Sequence, residues 1–153
     1  MSARLDSVEA FRPMRPTDLD RVMAIEPTLY SHPWTRGNFE DSINAGYVCR
    51  VIECEGVIAG YGVLMIGAGE AHLLNLSVES GWQRRGLGRA LLEHFVRAAR
   101  DGAARQMLLE VRPSNVLARR LYADFGFSDL SLRRDYYPAD RGREDAILMS
   151  LPL

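Results

Sequence analysis

Glu110 lies in an unusual setting for a carboxylate. Met107, Leu108, Leu109 and Val111 around it are apolar, and the run Gln106–Val111 reads as a short central strand. A carboxylate in such a place is costly to bury unless it is paired or protonated. Desolvation should raise its proton affinity toward neutrality, which suits a general base. The plainer alternative is a buried partner for an arginine, Arg112 or Arg134.

A second signal is Gln83-Arg84-Arg85-Gly86-Leu87-Gly88-Arg89, which follows a predicted strand and opens a predicted helix. Two glycines let the backbone curl so that successive N–H groups converge, and the helix start adds about half a positive charge. Together they suit an anion such as a pyrophosphate, with Arg84, Arg85 and Arg89 as side-chain contacts. The alternative is a glycine-rich helix start with a solvated arginine face. The loop is not a P-loop, because Lys-Ser/Thr is absent. It is not a dinucleotide fingerprint either, because Leu91 stands where the third glycine should fall. A nucleotide-containing cofactor other than NAD or ATP is favoured.

Other reactive residues carry less. His32, His72 and His94 are scattered without metal-ligand spacing. Ser77 has no nearby base in sequence, and Cys49 and Cys54 lie in the wrong half for an acyl relay. Tyr122 flanks a helical stripe of Leu117, Leu121 and Phe125, which by itself reads as core. Asn115 reads as a helix N-cap. Trp34, Tyr136 and Tyr137 are aromatic residues in or beside loops; they either line a groove or cover the core.

The elements that must position these residues follow from pattern and punctuation. Phe11–Met14 reads as an edge strand, since proline is tolerated there. Thr17 or Asp18 caps a helix through Ile25, which Pro27 stops; Thr35 caps a second helix to about Ala45. Tyr47–Cys54, Val57–Ile66 and Glu70–Val78 are three strands joined by tight turns. Gly86–Arg100 is an amphipathic helix ended by Gly102, and Gln106–Val111 a strand. Ser114 or Asn115 caps a helix closed at Gly126, and Phe127–Tyr137 and Asp145–Leu151 are the last strands. The order βααβββαβαββ predicts an α+β layered fold: a mixed central sheet flanked by about four helices, with one strand–helix–strand crossover.

Composition bounds the rest. At 153 residues one domain is expected. Nineteen basic against 20 acidic residues give a net charge of −1, which disfavours a nucleic-acid coat binder. All the basic residues are arginine, so a Schiff-base lysine is excluded. No apolar run is long enough for a membrane span, and Met1 to Phe11 lacks a signal-peptide core. Cys49 and Cys54, five apart on one strand, face opposite ways and suggest no disulfide framework. A cytoplasmic setting fits.

The loop resembles the coenzyme A loop of the GNAT family of N-acetyltransferases, R-x-x-G-x-G/A, and the likeness runs further. Leu73–Val78 stands before it and Leu108–Asn115 after its helix. Leu121-Tyr122-x-x-Phe125-Gly126-Phe127, Arg133–Pro138 and Gly142–Ala146 follow, and His32–Thr35 lies upstream. This combination is similar to the bacterial ribosomal-protein-alanine N-acetyltransferases. The resemblance implies splayed middle strands, with acetyl-coenzyme A inserted between them, its pantetheine pairing with the backbone of Leu76, Ser77 and Val78. The loop Arg84 to Arg89, through Gly86, Leu87 and Gly88, would hold the pyrophosphate. Asn115 would touch the pantetheine, with Ser114 free to cap the helix. Glu110 would be the base and Tyr122 the proton donor to the leaving thiolate. Trp34, Tyr136 and Tyr137 would meet the acceptor, the N-terminal segment of a small-subunit ribosomal protein. No metal is implied, and a monomer is expected. Two alternatives stay open: another amine acceptor, a lysine side chain or a small molecule, and a non-catalytic acyl-coenzyme A-binding partner protein.

Overall fold

Glu55-Gly56 and Ala68-Gly69 carry positive φ at both positions, 53° and 81°, then 55° and 79°. This is the two-residue turn whose twist matches the strands it joins. The turns connect three antiparallel strands: β2 (Val48–Cys54), β3 (Val57–Gly67) and β4 (Glu70–Val78). The structure is a computed structural model that describes residues 9–153. Most of the Met1–Phe11 segment read above lies outside the described residues. β1 (Glu9–Pro13) occupies the sheet edge, where Pro13 is harmless, and begins two residues earlier than the sequence predicts.

α1 (Leu19–Leu29) and α2 (Arg36–Asn44) precede β2. α3 (Leu87–Asp101) carries the chain from β4 to β5 (Gln106–Val111), and α4 (Val116–Phe125) leads to the hairpin β6 (Ser128–Pro138) and β7 (Arg143–Pro152). The sheet order is β1-β2-β3-β4-β5-β7-β6. β4 and β5 are parallel, as their helical crossover requires; the other pairs are antiparallel. Among the described residues the mixed sheet, four α-helices and single crossover agree with the sequence reading.

Pro27 does not stop α1. It falls in the last turn, so it removes only the one i→i−4 bond to the Met23 carbonyl and the helix ends two residues later; the Thr28 hydroxyl donates to the Ile25 carbonyl at 2.6 Å. The entry to α1 is pinned by Asp18, whose carboxylate takes both Arg12 nitrogens at 2.8 Å and the Arg15 N–H at 2.7 Å.

The sheet separates two cores. Leu91, Phe95 and Val96 of α3 pack on Leu64, Leu73, Met107 and Leu109. Leu19, Val22 and Ile25 of α1 and Phe39 of α2 pack on Val51, Tyr61 and Val63. Glycine lets α3 lie close to β3: a Cβ on Gly62 would sit 2.6 Å from the Phe95 ring. In α4 the packed stripe is Ala118, Leu121, Tyr122 and Phe125. Leu117, predicted to lie on it, is 66% exposed.

One irregularity shapes the site. Asn75 pairs with Val63 and Leu73 with Leu64, so Leu74 is an extra residue in β4. Before this bulge Ala71 and Leu73 join the α3 core. After it Leu76 and Val78 do, while Asn75 and Ser77 turn to the α1 face. β4 and β5 stay paired from Glu70↔Gln106 to Leu73↔Leu109, then part at the bulge.

Candidate active site

Where β4 and β5 part, a cleft of about 320 Å³ opens. α1 and the loop after it contribute Glu26, Tyr30, His32 and Trp34. β4 gives Leu73 to Leu76, β5 gives Leu109 to Val111, and Arg112 follows directly after β5. Asn115, Ala118 and Tyr122 line it from α4 and its cap, Tyr137 and Pro138 from β6.

Glu110 faces this cleft. Strand alternation sends Met107, Leu109 and Val111 into the α3 core, so Glu110 points the other way. Its apolar sequence neighbours therefore do not enclose it. The partners differ from both arginines read from sequence: His72 Nε2 lies 3.4 Å from Oε1 and Arg133 3.6 Å from Oε2. Neither reaches good hydrogen-bond geometry, and Oε2 is buried without a hydrogen-bond partner. Arg112 pairs instead with Glu144, at 3.3 Å.

Tyr122 sits 8% exposed at the cleft wall, its ring edge-on to Phe127 at 5.8 Å. Burial, with Tyr30 and Tyr137 adding to it, pushes its hydroxyl pKa above the ordinary value, so the proton stays on at neutral pH. Asn115 caps α4 itself, accepting the Ala118 N–H at 3.3 Å. Ser114 does not cap: its N–H and hydroxyl donate to Glu144 at 2.8 and 3.0 Å.

The parted edge of β4 is chemically open. Glu79 N–H donates to Ala59 O, which fixes the alternation: Ser77 and Asn75 turn their backbone groups to β3, and Leu76 and Val78 turn theirs toward the gap. Of the three residues expected to pair with a pantetheine, Ser77 thus has its backbone engaged elsewhere. Side chains take the two outward carbonyls: the Tyr30 hydroxyl donates to Leu76 O at 3.1 Å and Gln83 Nε2 to Val78 O at 2.9 Å. Burial pushes the Tyr30 pKa up to about 12.

Beneath the cleft, Glu26 gathers three donors. Tyr61 donates its hydroxyl at 2.7 Å, Trp34 its backbone N–H at 3.0 Å and Asn75 its amide at 3.5 Å. Ser77 donates to Asn75 at 2.8 Å, and Tyr30 lies 2.8 Å from Ser77 Oγ. Sequence reading missed Glu26 because Pro27 suggested a helix end. The spacing Leu19, Val22, Glu26, Leu29 was the available signal, since it places Glu26 on the buried stripe.

Tyr137 is held at the rim by a wide irregularity in β6. Arg133 pairs with Ala146 and Tyr137 with Glu144, so three residues of β6 oppose Asp145 alone. The loop they form is braced. Asp145 accepts the Asp135 N–H at 2.9 Å, and Arg143 donates to the Asp135 and Tyr136 carbonyls at 2.7 and 2.9 Å. Arg112 lies over the Tyr137 ring at 4.4 Å and donates to Pro138 O at 2.7 Å. Tyr136 is turned outward against Tyr137 and does not line the cleft.

Arg84 to Arg89 lie outside the cleft lining, at the start of α3. The chain turns through positive φ at Arg84 (63°) and Gly86 (84°). The intrahelical ladder begins with Ala90 N–H to Gly86 O, so the N–H groups of Leu87, Gly88 and Arg89 need partners from outside the helix. Arg85 stacks over Trp82 at 5.0 Å and Arg89 over Phe125 at 5.1 Å. Among the described residues no group of three His, Cys, Asp or Glu could hold a metal ion. Among the same described residues, no helix is long and apolar enough to cross a membrane.

Comparison with known proteins adds independent findings. The profile of the acetyltransferase (GNAT) family matches residues 19–127. The [ribosomal protein bS18]-alanine N-acetyltransferase of Escherichia coli (strain K12) is 38% identical over 137 residues, 90% of this chain and 93% of the relative. The crystal structure of the ribosomal-protein-S18-alanine N-acetyltransferase from Escherichia coli matches with a TM-score of 0.87 at 36% identity, covering 94% of this chain and 93% of that one. Arabidopsis thaliana Naa50 in complex with the bisubstrate analogue CoA-Ac-MVNAL shares the fold. Its TM-score is 0.83 at 19% identity, covering 95% of this chain and 99% of that one.

Proposed function

The chain belongs to the acetyltransferase (GNAT) family, and from that premise we propose that it moves the acetyl group of acetyl-coenzyme A to the N-terminal alanine amine of a small-subunit ribosomal protein. The observation that carries this reading is the cleft itself. Glu110, one of whose carboxylate oxygens has no hydrogen-bond partner, lines a cleft that also takes in Leu76, whose backbone turns away from β3. The 38% identity to an enzyme named for that acceptor supports the substrate.

The residues fit a coenzyme A thioester. The outward edge of β4 turns the N–H groups of Leu76 and Val78 toward the amides of a pantetheine arm, and their carbonyls, each already accepting one side-chain donor, keep a second lone pair for it. The unpartnered N–H groups at the start of α3 suit the pyrophosphate, with Arg84, Arg85 and Arg89 beside them. Asn115 lines the cleft and caps α4, and in this reading it touches the arm as well.

A free α-amine has a pKa near 8, so about nine-tenths of it is protonated at pH 7. Glu110 takes the proton, directly or through a water. The amine nitrogen then attacks the thioester carbonyl, forming the C–N bond of a tetrahedral oxyanion, whose collapse breaks the C–S bond. The outward Leu76 N–H stabilises the oxyanion. Tyr122, kept protonated by burial, gives its proton to the departing thiolate. The ammonium must lose two protons to become an amide: Glu110 holds the first, the second passes from the attacked nitrogen to the Tyr122 phenolate directly or through water, and Glu110 then releases its proton to solvent. Trp34 and Tyr137 flank the entry for the acceptor, and Tyr136 supports Tyr137 from outside.

Steady-state kinetics on Tyr137→Ala test the acceptor side. The KM for an Ala-starting peptide should rise while acetyl-coenzyme A affinity stays close to wild type. Equal weakening of both substrates would make Tyr137 a packing residue and move the acceptor groove elsewhere.

A further inference from the structure

Glu26 takes no part in the transfer just described, yet it is 1% exposed and lines the cleft. Its contrast with Glu110 is informative. Glu110 keeps one buried oxygen without a donor, whereas both Glu26 oxygens are taken. A carboxylate filled with donors holds structure in place; one left empty is ready for a proton.

The donors to Glu26 come from three separate elements. Tyr61 is on β3, Asn75 on β4 just past the bulge, and Trp34 in the loop between α1 and α2. The Trp34 ring rests on Phe39 at 5.0 Å, and Phe39 meets the Tyr61 ring edge-on at 5.7 Å. Tyr30, through Ser77 and Asn75, joins the same network and also holds the Leu76 carbonyl. One carboxylate therefore ties the Trp34 loop to the strand edge that would meet the thioester. Burial raises the Glu26 pKa, while the bonds from Tyr61, Trp34 and Asn75 oppose that rise.

Resting on the reading of the cleft as an acetyl-acceptor site, we infer that Glu26 is the positioning residue of the acceptor wall, holding the Trp34 loop against β4 so that the peptide groove exists before the peptide arrives. A preformed groove avoids the entropic cost of ordering the loop on binding. Glu26 acts through Trp34 and touches neither reacting atom.

The test compares two substitutions by steady-state kinetics with an Ala-starting peptide and acetyl-coenzyme A. Glu26→Leu leaves the Trp34 N–H without an acceptor. Peptide KM should rise about tenfold, the scale of one lost buried hydrogen bond, with kcat and acetyl-coenzyme A affinity within about twofold. Glu26→Gln retains an amide oxygen for the Trp34 N–H and can donate to the Tyr61 hydroxyl. It should restore peptide KM to within about twofold of wild type. In a Trp34→Ala background, which keeps the backbone N–H but removes the ring that it positions, Glu26→Leu should raise KM by less than it does in wild type. If Glu26→Gln instead loses kcat as a missing base would, Glu26 handles protons and the positioning role is overturned. An unchanged peptide KM in folded Glu26→Leu also overturns it. Should Glu26→Leu fail to fold, Tyr61→Phe removes the 2.7 Å bond that aims the carboxylate. A rise of a few-fold in peptide KM then supports the inference, and no rise overturns it. Wild type that cannot turn over the peptide defeats the acceptor reading and this inference with it; wild-type turnover with unmoved variants defeats the inference alone.

Discussion

Replacing Glu110 by Gln separates chemistry from packing, because the structure assigns very different magnitudes to the two. Oε2 has no hydrogen-bond partner to lose. Its nearest cation, Arg133, stands 3.6 Å away and is 62% exposed in its side chain, so solvent screens the pair. Such pairs contribute about 0–1 kcal/mol. His72 at 3.4 Å is too far for a strong bond. Stability should therefore change by no more than about 1 kcal/mol. Loss of a positioned base costs about 10²- to 10⁴-fold in rate, or about 2.7–5.5 kcal/mol in the barrier. The assay is thiol release from acetyl-coenzyme A with an Ala-starting peptide, alongside a thermal melt and calorimetric cofactor binding. Cofactor affinity and melting temperature should stay near wild type while turnover at pH 7 collapses. The deficit should shrink toward pH 9, where the α-amine, with a pKa near 8, deprotonates unaided. A folded Glu110→Gln protein turning over within about fivefold of wild type at pH 7 would refute Glu110 as the base.

Tyr122→Phe should slow turnover while stability moves by about 1–2 kcal/mol at most, since the ring and its contact with Phe127 remain; a large melting shift with full activity per folded molecule would make it core. Gly88→Glu should weaken acetyl-coenzyme A binding strongly. A Cβ there meets only the mobile end of Leu121, at 3.3 Å, and an acidic residue suits a helix start, so the protein should fold; unchanged affinity by calorimetry would remove the loop from pyrophosphate binding. Asp18 has its carboxyl pulled below the usual range, chiefly by its hydrogen bonds from Arg12, against the effect of burial. A lowered folded pKa stabilises above the unfolded value and is lost as pH falls through the folded one. Asp18→Asn should therefore melt lower than wild type at pH 7, with the gap closing toward pH 3; a gap constant with pH would contradict this.

The glycine loop, the crossover and the tight turns were legible because each depends on local residue types. Long-range pairing was less so. Glu110 reads from sequence as enclosed by Leu109 and Val111, yet alternation sends those side chains through the sheet to the opposite core. The β4 bulge at Leu74 shifts that alternation partway along a strand, and nothing in Leu73–Val78 announces it. Ser77 consequently faces β3 with its backbone and Tyr30 with its side chain. Gly142–Ala146 carried resemblance without an evident job. In three dimensions Arg143, Glu144 and Asp145 brace the raised segment of β6 and the Arg112–Ser114 turn that frame Tyr137. Glu26 was obscured by Pro27, although helical spacing already placed it on the buried face.

The central claim is tested most directly by locating the acetyl group on the product. A peptide with a free N-terminal alanine and an internal lysine, incubated with acetyl-coenzyme A and the protein, offers both amines at once. Fragmentation mass spectrometry of the product then assigns the added acetyl to one nitrogen. Acetyl on the alanine α-nitrogen, absent when Glu110→Gln replaces wild type at pH 7, is the predicted result. Acetyl on the lysine ε-nitrogen, or no enzyme-dependent product, would contradict N-terminal transfer.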